Sequence, residues 1–201
     1  MPKGKPVSMA ADPSCAKLHT APVLSQEIVA DASGGLQNAI VVISAGLGDR
    51  AYTPPSKPAV IEQKGCMYQP HVAAMQADQK LEVMNQDPAT HNIHPIPTNN
   101  REWNKAEPPG IAIEDTFTRE EIAIPVKCNG HPWMKSYVAV FKHPFFAITG
   151  KDGSFEMNDL SPGAYTLKVW HEKLGTATQQ VAVSGSETKT VQFVLKPTSG
   201  S

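Results

Sequence analysis

Between residues 120 and 128 the segment "EEIAIPVKC" alternates. Ile122, Ile124, Val126 and Cys128 fall on one face; Glu121, Ala123, Pro125 and Lys127 fall on the other. A period of two marks a strand with one buried face, which makes Cys128 the last inward residue of its strand. "KLEVMNQDP" repeats the pattern with Leu81 and Val83 and stops at an Asp-Pro turn, and "SYVAVF" resumes a strand after the cysteine. Towards the C-terminus, "AYTLKVW" aligns Tyr165, Leu167 and Val169. "QQVAVSGSETKTVQFVL" predicts a hairpin with Val181 and Val183 facing Val191, Phe193 and Leu195, and Asp152-Gly153 signals a further turn. Near the start, "GGLQNAIVVISAGL" predicts a strand behind a Gly-Gly turn. Asn99 to Gly110 is polar, Pro-rich and aperiodic, and reads as a loop.

These short apolar runs predict an all-β chain, and no internal repeat is visible. The Pro-rich stretch "YTPPSKP" suggests a boundary. The expected organisation is an N-terminal β segment over 1–57, a central domain over 58–141, a smaller β-sandwich over 142–197 and a loose tail over 198–201. The smaller region is short for a core of its own, and "LQNAIVVIS" is the obvious strand to complete it.

Composition agrees with many turns: 18 prolines and 14 glycines in 201 residues. A formal net charge of −1 with 18% charged residues speaks against a nucleic-acid partner, which would call for a basic surface. No run approaches the roughly 20 apolar residues of a membrane span. The start "MPKGKPVSMAADPSC" lacks an apolar stretch behind its lysines, so it is either cytosolic or a mature chain whose leader gave way to Met1.

Cys15, Cys66 and Cys128 lie far apart, and none belongs to a C-x-x-C pair. One disulfide, Cys15 with Cys66, plus one functional thiolate, Cys128, is the economical arrangement; three buried thiols is the other. A disulfide would place the chain in an oxidising compartment such as the periplasm.

"KCNGHPWM" brings Cys128, His131 and Met134 into seven residues at a strand end, with Pro132 to stiffen the turn, and "DPATHN" offers His91 from a distant loop. A copper ion held for electron transfer takes one thiolate, two imidazoles and a weak thioether, and these four residues supply that set. Other histidines have plainer readings. His94 is a loop residue or a support to the ligands; His71, beside Cys66 in sequence, is structural or a replacement ligand. His143 and His171 lack a third partner for a second metal. No acid–base pair, phosphate loop or Ser-His-Asp order is present.

"THNIHP" with "KCNGHPWM", preceded by "MYQPHVAAMQADQKLEVMNQDPATHN", resembles the cupredoxins, and the short ligand loop is similar to the amicyanin type. The likeness runs roughly from Ala59 to Phe141. It implies a Greek-key β-sandwich holding one type 1 copper on His91, Cys128, His131 and Met134, with Asn92 tying the two ligand loops together. It also implies a non-enzymatic electron shuttle that docks transiently near His131 with a redox protein such as a c-type cytochrome or a dehydrogenase. A copper(I) carrier and a structural module with a vestigial site are the other readings. The insert "NNREWNKAEPPG" departs from the pattern and leaves partner surfaces open. "GKDGSFEMNDLSPGAYTLKVW" resembles the carboxypeptidase-regulatory-like, transthyretin-like sandwiches, which implies a non-catalytic accessory region.

Overall fold

The computed structural model describes residues 4–185 and 187–196, so the expected tail 198–201 lies outside the described residues. Among the described residues the chain is all-β apart from one short helix, α1 (Pro13–Ala16). The strands are β1 (Ile40–Ala45), β2 (Ala59–Gln63), β3 (Tyr68–Gln69), β4 (Val72–Gln76), β5 (Lys80–Asn85), β6 (His91–Pro95), β7 (Lys105–Glu107), β8 (Ala112–Thr116), β9 (Glu121–Lys127), β10 (Lys135–Phe141), β11 (Phe146–Ile148), β12 (Gly163–His171) and β13 (Gly175–Val183). No helix among the described residues is long and apolar enough to cross a membrane.

Two compact units form. Within the described residues one comprises 27–52 with 145–196, and the other 4–26 with 53–144. The N-terminal stretch is therefore divided. Strand β1 sits between β11 and β12 in a four-stranded sheet ordered β11-β1-β12-β13, whereas residues 4–26 cluster with the central strands. The cause is covalent as well as apolar. Cys15 is joined to Cys66, and Val7, Met9 and Val23 pack into the central core.

That central unit is a two-sheet sandwich, ordered β4-β10-β9-β6-β7 and β3-β2-β5-β8. Ile61, Leu81 and Val83 from one sheet meet Met75, Ile93, Ile124, Val126, Val138 and Val140 from the other. Leu81 and Val83 face inward on β5, as their alternation predicts. In β9 the alternation holds only from Ile124 onward. Ala123 has φ 61°, and the β9–β10 register slips between Val138 and Val140, so one extra residue bulges out. Parity flips there. Glu121 turns inward and Ile122 is only half-buried. The Glu121 carboxylate is satisfied by the backbone N–H groups of Thr98, Asn99 and Asn100, which closes the loop below β6. The segment expected as a loop over 99–110 contains β7, a three-residue strand paired with β6.

In the other unit, Tyr165, Leu167 and Val169 of β12 share a core with Val41 and Ile43 of β1. The predicted hairpin supplies β13. Its second arm packs Val191, Phe193 and Leu195 on this core without forming a strand among the described residues.

Candidate metal centre

His91 is the first residue of β6, and its alternate neighbours Ile93 and Pro95 face inward with it. Cys128 follows the last residue of β9, still on the inward phase set by Ile124 and Val126. Lys127 and Lys135 pair across the β9–β10 ladder, so residues 128–134 form a short turn. Two backbone bonds tighten it: Cys128 N–H donates to Met134 C=O (3.3 Å), and Met134 N–H donates to His131 C=O (2.9 Å). The tightness folds His131 back over Cys128.

His91, Cys128 and His131 are 2%, 3% and 5% exposed, and their donor atoms all lie within 4.8 Å of one another. The two Nδ1 atoms are 3.0 Å apart, and Cys128 Sγ is 3.4 Å from His131 Nδ1. Met134 is fully buried in the same core cluster. Asn92 Oδ1 accepts from Asn129 N–H (2.7 Å) and from Cys128 Sγ (3.3 Å), which links the two loops.

Two aspartates that sequence reasoning missed fix both rings. Asp87 Oδ2 lies 2.9 Å from His91 Nε2, and Asp12 Oδ2 lies 2.9 Å from His131 Nε2. Both carboxyls are held below the usual carboxylate range. Asp12 owes this first to Ser14 and then to His131; for Asp87, burial opposes but bonds from His91, Cys66 and Gly65 prevail. An ionised carboxylate only accepts, so each Nε2 carries a hydrogen, and each ring when neutral turns its Nδ1 lone pair inward. Asp12 was legible as a helix N-cap ahead of Pro13, and Asp87 as half of an Asp-Pro turn, but neither signal says which imidazole it meets.

Charge at the centre follows. Burial raises the Cys128 thiol, but bonds from His91, the Asn92 backbone and His131 outweigh it and pull it down to about 6. Burial opposes charge on His91 as well, yet Asp87 and Cys128 push it up to about 9. Two facing Nδ1 lone pairs and a thiolate repel one another unless a proton or a cation lies among them. The donor set thus fits a metal ion that accepts two nitrogens and one sulfur. Metal binding must displace the proton from His91 below about 9 and also one from Cys128 below about 6. Copper(II) affinity is therefore expected to rise with pH and level off above the His91 value. Between those two values these groups should release one proton per ion, and below the lower value two, counted by titration in weak buffer.

Around this centre, Glu107 pairs with His91 in the β6–β7 ladder. It is fully buried, receives a hydrogen bond from the Gln63 amide, and is pushed up to about 7 by burial. Tyr68 O–H donates to Asn92 C=O (2.5 Å); burial first, then the nearby Cys128 and Glu107 charges, raise its phenol.

The remaining histidines separate cleanly. His94 Nδ1 meets Asn129 Oδ1 (3.1 Å) and its Nε2 meets Glu102 (2.6 Å), so it supports the residue after Cys128 from outside the donor cluster. His71 begins the β4 region and sets its ring edge-on to Tyr137; His143 stacks on Phe141. Among the described residues, neither these two nor His171 belongs to a group of converging donors.

A family model described as polysaccharide lyase family 4, domain II matches residues 123–191, less than half of the chain and a span that crosses from one unit to the other. No curated protein sequence matches. Among solved structures, the chain is similar to a Cu-containing nitrite reductase (NirK) from Thermus scotoductus SA-01, at 21% identity and a TM-score of 0.40. That alignment covers 49% of this chain and 25% of the enzyme. It is similar to a purple cupredoxin from Nitrosopumilus maritimus at 23% identity and 0.36, covering 41% and 98%. A reduced amicyanin mutant aligns at 17% identity and 0.39, covering 50% and 97%. Likenesses this distant leave the chemistry to the donor geometry.

Proposed function

We propose that the central unit holds one type 1 copper ion on His91, His131 and Cys128, with Met134 as the weak fourth ligand, and shuttles single electrons between redox proteins. The observation that carries this reading is the convergence of two inward Nδ1 atoms and one acidic thiol in a buried cluster. Bound there, copper supplies a one-electron couple at nearly constant geometry. The residues do the rest. Asp12 and Asp87 hold the imidazole hydrogens outward, Asn92 fixes the loop spacing, and burial excludes water. Four protein donors leave no open position for substrate, which favours electron transfer over catalysis.

The surface around His131 is expected to meet a partner such as a c-type cytochrome or a dehydrogenase. His131 itself is buried beneath Asp12, so contact falls to its neighbours. Pro132 is exposed and Trp133 half-buried, its ring 5.1 Å from that of His131, giving an apolar patch suited to transient docking. The disulfide supports an oxidising, periplasmic setting. Deep burial of the donors also favours a shuttle over a carrier, which has to exchange its ion.

Voltammetry and visible spectroscopy of the copper-loaded protein test the proposal. A coloured form that bleaches and returns reversibly with one electron per chain supports a shuttle. A colourless protein that binds only copper(I) makes it a carrier instead.

A further inference from the structure

The Cys15–Cys66 disulfide stands directly behind the two imidazoles, and its two halves are built alike. On one side, Asp12 Oδ1 accepts from Ser14 N–H (2.8 Å) and Cys15 N–H (3.4 Å), while Asp12 Oδ2 meets His131 Nε2. On the other, Asp87 accepts from Gly65 N–H (2.6 Å) and Cys66 N–H (2.7 Å) and meets His91 Nε2. Gly65 and Cys66 both have positive φ, 64° and 51°, which turns successive N–H groups onto one carboxylate. Each sulfur lies within 4.8 Å of a ring nitrogen of the imidazole on its own side. One covalent bond therefore joins the two backbone N–H groups that seat two aspartates, and the aspartates seat two imidazoles. On the Asp12 side the chain is otherwise held by the packing of Val7, Met9 and Val23 and by a few polar contacts. The bonds tying residues 4–26 to the sandwich include His19 Nε2 to Gly65 C=O (2.8 Å) and the Asp12–His131 contact.

We infer that Asp12 is a positioning residue for His131, and that the Cys15–Cys66 disulfide is a covalent clasp that keeps Asp12 in place and so governs metal retention at Cys128. The inference rests on the copper reading above. With the clasp closed, the outer edge of His131 is covered and its Nδ1 faces the donor cluster. Without that bond the segment carrying Asp12 loses its covalent anchor beside Cys15, and both the orientation and the cover of His131 loosen. Carboxylates behind metal-bound histidines are commonly worth about 10- to 100-fold in affinity, which sets the expected scale.

The test follows copper loss from the loaded full-length protein to excess EDTA. Asp12→Asn keeps the volume and the disulfide but not the carboxylate; it is expected to speed release about tenfold or more and to displace the visible absorption band. Cys15→Ala with Cys66→Ala should speed release similarly. The triple variant should be no faster than the faster of the two, because both changes act through Asp12. Wild-type release from Asp12→Asn overturns the positioning role. Multiplying rates in the triple variant, or wild-type release without the disulfide, overturns the clasp. If the double cysteine variant does not fold, Asp12→Asn alone decides. A wild-type protein that binds no copper would instead refute the copper reading, a result distinct from all of these.

Discussion

Cys128→Ser is expected to abolish thiolate-to-copper absorption completely and to remove the stabilisation that copper confers. Serine's hydroxyl does not ionise near neutral pH, whereas the Cys128 thiol is drawn down to about 6 by the groups that converge on it. The soft donor is lost while both imidazoles remain, so any residual copper should be weakly held and pale. Copper present at 100 times its dissociation constant stabilises the native state by about 2.7 kcal/mol. At about 2–4 °C per kcal/mol for a chain of this size, wild type should show a clear thermal shift on titration and Cys128→Ser almost none. Parallel melting curves with and without copper measure both. An undiminished shift in the variant would place the ion elsewhere.

The second large effect lies in the sandwich rather than among the donors. Ile93 is fully buried, two residues after His91 on the same inward face of β6. It packs in the core that also holds Ile124, Val126 and Met134. Ile93→Ala removes buried methyl groups where two sheets meet, and is expected to destabilise the metal-free protein by about 2–5 kcal/mol. Urea unfolding should show a lower midpoint at unchanged slope. Because β6 presents His91 from this packing, copper should also bind more weakly in the folded variant. A loss below about 0.5 kcal/mol, the scale of an ordinary surface change, would mean that the core does not hold β6 in place.

Much of this architecture is legible as local period. Leu81 and Val83, or Tyr165, Leu167 and Val169, announce their strands because a pleated chain sends every second side chain to the same face. The meeting of Cys128 with His131 is legible too, since few residues separate them at a strand end. What escaped depends on contacts across long stretches of chain or on single-residue irregularities. Asp12 reaches His131 across 119 positions, and no local pattern encodes that closure. Glu121 turns inward only because Ala123 bulges and shifts the phase by one. β7 is three residues long at a sheet edge, too short to show a period. The arm 187–196 carries the alternation of a strand, yet it packs Val191, Phe193 and Leu195 without a ladder, because hydrophobic phase sets burial rather than pairing.

X-ray absorption at the copper edge of the loaded protein tests the convergence of His91, Cys128 and His131 most directly. One copper per chain with two nitrogen neighbours and one short sulfur neighbour, the sulfur vanishing in Cys128→Ser, is the predicted result. A bound copper surrounded by nitrogen and oxygen alone, or a protein that takes up no copper, would contradict it.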